Sequence, residues 1–192
     1  MNKKSIFLKN LEEHQSIFET LNDLDGPIEE AIKLISSSLA KDGKLLVCGN
    51  GGSAADSQHI AAEFTGRFIK DRKALAAIAL TTDSSAVTCI ANDYSFDEIF
   101  SRQIRGIGRK GDCLLAISTS GNSSNVVNAV RVAKSYEINT IGMLGYDGGA
   151  LIDLCDVSIL VDSESTARIQ EAHILIAHSI CGGVETNMGL VW

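Results

Sequence analysis

Basic charge is scarce in this chain. Lysine and arginine number 17 against 24 aspartates and glutamates, a net charge of −7 over 192 residues, whereas a nucleic-acid binder ordinarily presents a basic face. That balance excludes nucleic acid as the main partner and leaves a small ligand as the expectation. Long apolar runs are missing too. The N-terminal MNKKSIFLKNLEEHQ holds no stretch of the about 7 to 15 apolar residues that a secretory signal carries, and no segment approaches the roughly 20 of a membrane span. A cytoplasmic protein with no membrane partner is expected. Paired cysteines are absent as well: Cys48, Cys89, Cys113, Cys155 and Cys181 are odd in number and widely spaced, with no CxxC. They read as buried small hydrophobes in a reducing compartment, without a metal or redox role. No repeat, linker or low-complexity tract appears, so residues 1–192 are read as one domain.

What is present is a globular composition, 45% hydrophobic and 21% charged, with two kinds of periodicity. In the first forty residues Ile6, Leu11, Ile17, Phe18, Leu21 and Leu24, then Ile28, Ile32, Ile35 and Leu39, recur at helical spacing on either side of Gly26-Pro27. This predicts two amphipathic helices. Five short apolar runs follow, at 44–49, 75–82, 112–119, 140–145 and 157–163, each reading as a strand covered on both faces. Helical patterns such as 124–137 alternate with them, and 166–187 forms a last long helix weakened at Gly182-Gly183. The fold class is α/β: a five-stranded parallel sheet of flavodoxin-like order 2-1-3-4-5 flanked by helices, preceded by an N-terminal helical pair. Residues 1–40 are expected to serve oligomerisation, and 41–192 to form the α/β core and final helix.

In such a sheet ligands bind outside the carboxyl ends of the strands where the winding reverses. Two loops should meet there, Gly49-Asn50-Gly51-Gly52-Ser53 after the first strand and Ser118-Thr119-Ser120-Gly121-Asn122-Ser123 after the third. The second offers four hydroxyls and a helix N-terminus, a phosphate cradle; a simple N-cap would need only one of those hydroxyls. The first fits the loose G-x-G-x-x-G/A dinucleotide pattern through Gly49, Gly51 and Ala54, with Asp83 as the one acid near the end of the second strand.

His59 and Glu63 stand at i and i+4 just past the glycine loop, so both project from one helix face about 6 Å apart. His173 and His178 fall in the last helix. Gln170 and His178 are about 12 Å apart along that helix, which suggests a site completed between subunits, with Glu63 and His178 drawn from different protomers. Two extra amphipathic helices would supply the bundle of a dihedral tetramer. Arg67 lies just beyond Glu63, and Asn92-Asp93 in the loop after the helix that follows the second strand. Arg102, Arg105 and Arg168 read as surface or inter-subunit pairs.

Taken together, CGNGGSAADSQHIAAEFTGR, ANDYSFDEIFSRQ, LLAISTSGNSSNV, GYDGG and TARIQEAHILIAH resemble the phosphoheptose isomerase family of the sugar isomerase (SIS) superfamily, from about Lys41 to His178. The resemblance implies conversion of sedoheptulose 7-phosphate to D-glycero-D-manno-heptose 7-phosphate, towards heptose for lipopolysaccharide core or capsule. It implies Glu63 and His178 as the acid/base pair, and one zinc per active site on His59, Glu63, Gln170 and His178, an N/O donor set that suits zinc without excluding other divalent ions. It also implies sugar contacts from Asn50, Gly51, Gly52, Asn92 and Asp93, phosphate contacts from Ser118, Thr119, Ser120 and Ser123, and a homotetramer. Ser53, Arg67 and Gln170 complete the candidate substrate contacts. Some members carry an aspartate where this chain has Ala167, so no role is carried over there. The alternative is a non-catalytic SIS protein similar to the replication-initiator-associating protein, in which other residues occupy the positions of Glu63 and His178.

Overall fold

The computed structural model describes residues 4–191. Two helices open the chain, α1 (Ile6–Thr20) and α2 (Asp25–Ala40), joined by a 3-10 turn at Leu21–Leu24. Ser5 starts α1 by accepting the Leu8 N–H on its hydroxyl, 3.2 Å away. The break falls before Gly26-Pro27 rather than at it. Pro27 lies in the first turn of α2, where a missing N–H forfeits no intrahelical bond.

The sheet consists of β1 (Leu45–Gly49), β2 (Ala77–Ala79), β3 (Cys113–Ser118), β4 (Asn139–Gly145) and β5 (Val157–Val161). Between and after them run α3 (Gly52–Thr65), α4 (Ser84–Asp93), α5 (Ser101–Ile107), α6 (Ser124–Ser135) and α7 (Thr166–Asn187). Every pairing is parallel and the order is β2-β1-β3-β4-β5, as the alternation of strand and helix implies. β1 and β3 are buried along their whole length, because helices cover both faces. The edge strand β2 is shorter than its apolar run 75–82 suggests: only three residues pair, and Ile78 faces solvent.

Alternate strand residues divide the core. Leu45, Val47 and Leu115 pack with α2, α3 and α7, while Leu46, Cys48 and Leu114 pack with α4, α5 and α6. The apolar face of α2 is therefore used by the sheet, with Ala31, Ile32 and Ile35 buried. Ile32 fits against Gly183 of α7, where any Cβ would collide with it. The Gly182-Gly183 pair is thus a packing notch, and α7 runs through it unbroken.

Helix α1 differs: it has no fully buried residue and leaves Ile6, Phe7, Leu8 and Leu11 exposed. Polar contacts tie it to α7. Arg168 donates to the Asn10 carbonyl (2.6 Å) and to Glu171 (2.7 Å), and His14 Nδ1 lies 2.8 Å from the same carboxylate. Arg168 is buried and bonded within its own chain, so the surface position expected of it is corrected. Arg102 stacks over the Tyr94 ring at 3.6 Å, and Arg105 pairs with Glu98 at 2.9 Å. Among the described residues no helix is long and apolar enough to cross a membrane.

Candidate active site

β1 and β3 pair from Leu45–Cys113 to Gly49–Ile117, so both chains leave the sheet side by side. The helices that follow then part, α3 to one face and α6 to the other. This is the switch point at which an open parallel sheet leaves a crevice.

The first loop is shaped by glycine. Gly51 precedes α3 at φ +56°, ψ −120°, a region that side chains disfavour. Gly52 has no room for a Cβ because the Gln170 amide of α7 lies against it. No side chain caps α3, which leaves its first N–H groups free. Asn50 and Asn125, the second residue of α6, exchange a pair of amide hydrogen bonds across the crevice.

In the second loop Ser123 sits at the N-cap of α6 but caps nothing; its hydroxyl instead lies 3.1 Å from that of Ser118. A pure capping role for this loop is therefore not what the structure builds, and the N-terminus of α6 remains open to an anion. Ser120 accepts the Asn122 N–H at 3.2 Å, and Asn122 in turn accepts the Ala150 N–H at 2.9 Å, holding the loop against the turn after β4.

The chemistry gathers on the seam between α3 and α7. Gln170 lies beside Gly52, at the start of α3, and His178 beside His59 further along, so the two helices run side by side in one direction. His59 Nε2 lies 3.1 Å from Glu63 Oε1. His178 meets the His59 ring edge-on at 5.1 Å, and Phe68 stacks on its other side at 5.4 Å. One ligand atom from each of His59, Glu63 and His178 lies within 4.8 Å of the others. Among the described residues this is the one such cluster of three histidine, cysteine or carboxylate groups. The side chains of His59 and Glu63 are 46% and 22% exposed, open enough to meet a ligand.

Similarity to known proteins agrees with this geometry. The SIS domain family matches residues 9–145. A phosphoheptose isomerase of Aliarcobacter butzleri is 48% identical over 186 residues, covering 96% of this chain and 98% of that protein. The solved phosphoheptose isomerase of Neisseria gonorrhoeae is 46% identical with TM-score 0.84, covering 94% of this chain and 95% of that one. That of Francisella tularensis is 38% identical with TM-score 0.90, covering 94% and 96%. The chain belongs to the phosphoheptose isomerase family of SIS-domain proteins.

For a member of the phosphoheptose isomerase family, the expected site residues fall into three groups. His59, Glu63 and His178 converge, with Gln170 at the loop end of the same seam. A single chain brings Glu63 and His178 together, which the expectation of drawing them from different protomers did not foresee, while Gln170 stays against Gly52, about 12 Å from His178 along α7. Asn50, Gly51, Gly52, Ser118, Thr119, Ser120 and Ser123 border the crevice, while Ser53 is buried under it, its Cβ close to Gly49.

Asn92, Asp93 and Arg67 have no contact with the cluster. Asn92 and Asp93 are the last residues of α4 rather than a loop, at the end about 13 Å from Asp83. Their contacts are local, Asn92 donating to Asp93 at 2.8 Å and the Cys89 thiol donating at 3.4 Å. These bonds hold the Asp93 carboxyl below its ordinary range. Cys89 is exposed, unlike the buried cysteine expected there. Asp83 accepts the Ala86 N–H at 2.9 Å as the cap of α4, which accounts for that acid without a nicotinamide ribose. The exposed Arg67 guanidinium donates to the Ile69 carbonyl.

A cavity of about 490 Å³ near the second loop is lined in part by Asp147, Asp162 and Glu164 and contains none of the clustered residues. Ser120 and Asn122 of the second loop also line it, so it adjoins the crevice loop but not the titratable cluster on the α3–α7 seam. The residues that sequence reasoning missed are Asn125, Phe68, Arg72 and Glu185. Only Asn125 carried a signal, as an amide at the start of a helix face otherwise built of valine and alanine.

Proposed function

We propose that the chain is an aldose–ketose isomerase that converts sedoheptulose 7-phosphate to D-glycero-D-manno-heptose 7-phosphate in heptose biosynthesis. The carrying observation is the convergence of Glu63, His59 and His178 on the α3–α7 seam, in a chain that also presents an uncapped, hydroxyl-lined helix N-terminus at its crevice. Moving a carbonyl from C2 to C1 requires removal of a proton from C1, an enediol or enediolate, and return of a proton to C2. Glu63, in the last turn of α3, is the group that carries the carbon-bound proton. His178 exchanges protons with the sugar oxygens or assists ring opening. Ser118, Thr119, Ser120, Ser123 and the first N–H groups of α6 hold the phosphate, whose binding energy is remote from the reacting carbons.

Three nitrogen and oxygen donors within 4.8 Å of one another fit a divalent cation such as zinc; the Gln170 carboxamide, expected as a fourth ligand, lies against Gly52, about 12 Å along α7 from His178. Bound to those three donors, one ion per site would polarise the carbonyl as a Lewis acid.

The exposed Ile6, Phe7, Leu8 and Leu11 of α1 and Leu175 of α7 supply apolar surface for a homotetramer. Asn92 and Asp93, remote from the cluster of their own chain, are assigned to a neighbouring protomer's substrate, so the site is shared in that respect. A cytoplasmic location suits a phosphorylated substrate. Incubation of the purified chain with sedoheptulose 7-phosphate, followed by NMR, should show the aldose phosphate accumulate to an equilibrium mixture. Failure to form it with metal supplied would refute the isomerase reading.

A further inference from the structure

Residues 66–76, between α3 and β2, have no regular structure, yet a buried ion pair ties them to α7. The side chains of Arg72 and of Glu185 on α7 are 3% and 1% exposed, and Arg72 Nε donates to Glu185 Oε1 at 2.5 Å. The same guanidinium donates through Nη2 to the Glu63 carbonyl (2.7 Å) and through Nη1 to the Phe64 carbonyl (2.9 Å). Those carbonyls belong to the last turn of α3, at the negative end of its dipole, and that of Phe64 also accepts the Leu75 N–H at 3.0 Å. Glu185 Oε1 also accepts the Phe68 N–H at 3.1 Å, and the Phe68 ring stacks on His178. Glu185 lies seven residues beyond His178, about two turns along the same face of α7. One buried carboxylate thus fixes the helix end that carries Glu63 and, through Phe68, the surface against which His178 rests.

Stability alone does not explain this arrangement. Glu185 Oε2 is buried with no partner, and leaving a buried acceptor unsatisfied is costly. A buried ion pair is in general no more stabilising than well-packed apolar side chains of similar volume. What the planar arginine fork adds is direction, since it serves the carboxylate, the Glu63 and Phe64 carbonyls and those of Gly66 and Lys73 in one fixed geometry.

We propose that Arg72 and Glu185 are positioning residues that hold Glu63 and His178 in register for proton transfer, an inference that rests on the isomerase reading above. Neither touches the crevice loops that grip the phosphate. Misplacing reacting groups by about 1 Å can cost about a hundredfold in rate, and losing partners that orient such groups costs about 10- to 100-fold. The loss should appear in kcat, with KM within about twofold of wild type.

The test is steady-state kinetics with sedoheptulose 7-phosphate, together with thermal unfolding, on Arg72→Lys and on the double variant Arg72→Met/Glu185→Met. Lysine keeps the charge but cannot serve the carboxylate and both carbonyls at once; the double variant leaves no buried charge unpaired and so should fold. Both should unfold cooperatively, with kcat lowered about 10- to 100-fold and KM nearly unchanged. Folded variants with wild-type kcat, or a loss confined to KM, would overturn the proposal. If the double variant does not fold, Arg72→Lys, which retains the ion pair, decides alone. An inactive wild-type chain would instead sink the isomerase reading, and the positioning role with it.

Discussion

Asn50 and Asn125 exchange two side-chain hydrogen bonds, 2.8 and 2.9 Å long, joining the glycine loop after β1 to the first turn of α6. Each amide donates once and accepts once, and Asn125 is buried. This link sets the distance between the loop we propose for the sugar and the helix we propose for the phosphate. Asn125→Ala leaves the Asn50 amide without its partner, at about 1 to 3 kcal/mol. We expect KM for the phosphorylated sugar to rise about tenfold or more and the melting temperature to fall by several degrees. Steady-state kinetics and a thermal melt check this; an unchanged KM would mean that the two loops are held apart by other contacts.

Because one chain supplies both Glu63 and His178, mixing protomers gives a directional result. Oligomers assembled from Glu63→Gln and His178→Ala chains should stay inactive, since every site lacks one of the pair. Oligomers assembled from Glu63→Gln and Asp93→Ala chains should recover part of the activity if Asp93 acts on a neighbour's substrate. The experiment is co-refolding at equal ratios followed by assay. Recovery in the first mixture would show that Glu63 and His178 act across an interface after all.

His173 carries a pH dependence of stability. It is fully buried, its Nε2 lies 3.1 Å from the Leu144 carbonyl, and burial pushes it down to about 4. In the unfolded chain a histidine protonates near about 6.5. Between those values the unfolded state binds a proton that the folded state does not, so stability falls as pH drops from about 6.5 to about 4, by on the order of 3 kcal/mol. His173→Gln can still donate to Leu144 but does not titrate. Urea midpoints measured at pH 7, 5.5 and 4.5 should therefore decline less in the variant than in wild type. Parallel declines would assign the acid sensitivity to carboxylates alone.

Much of the fold is legible because β1, β3 and β4 are continuous apolar runs that could only be buried on both faces. β2 was overestimated because an apolar run does not say where pairing stops at a sheet edge. His59 and Glu63 were readable as one site from their i, i+4 spacing and the glycines before them. His178 could not be placed by the same means, since a distance measured along α7 says nothing about which helix lies beside it. Arg72 and Glu185, 113 positions apart, gave no local pattern at all: one sits in an irregular segment, the other near the end of a long helix. The exposed apolar residues of α1 and the buried ones of α2 look alike in sequence, and only the packing of Ile32 against Gly183 tells them apart.

The central claim is that Glu63 moves the carbon-bound proton. It is tested most directly by the turnover of purified, metal-supplied Glu63→Gln on sedoheptulose 7-phosphate in D2O, following aldose formation and deuterium incorporation by NMR. Glutamine keeps the shape of the side chain and cannot accept the proton, so both signals should fall about 10²- to 10⁴-fold while the melting temperature stays near that of wild type. Near-normal aldose formation by the folded variant would contradict the mechanism and remove Glu63 from it.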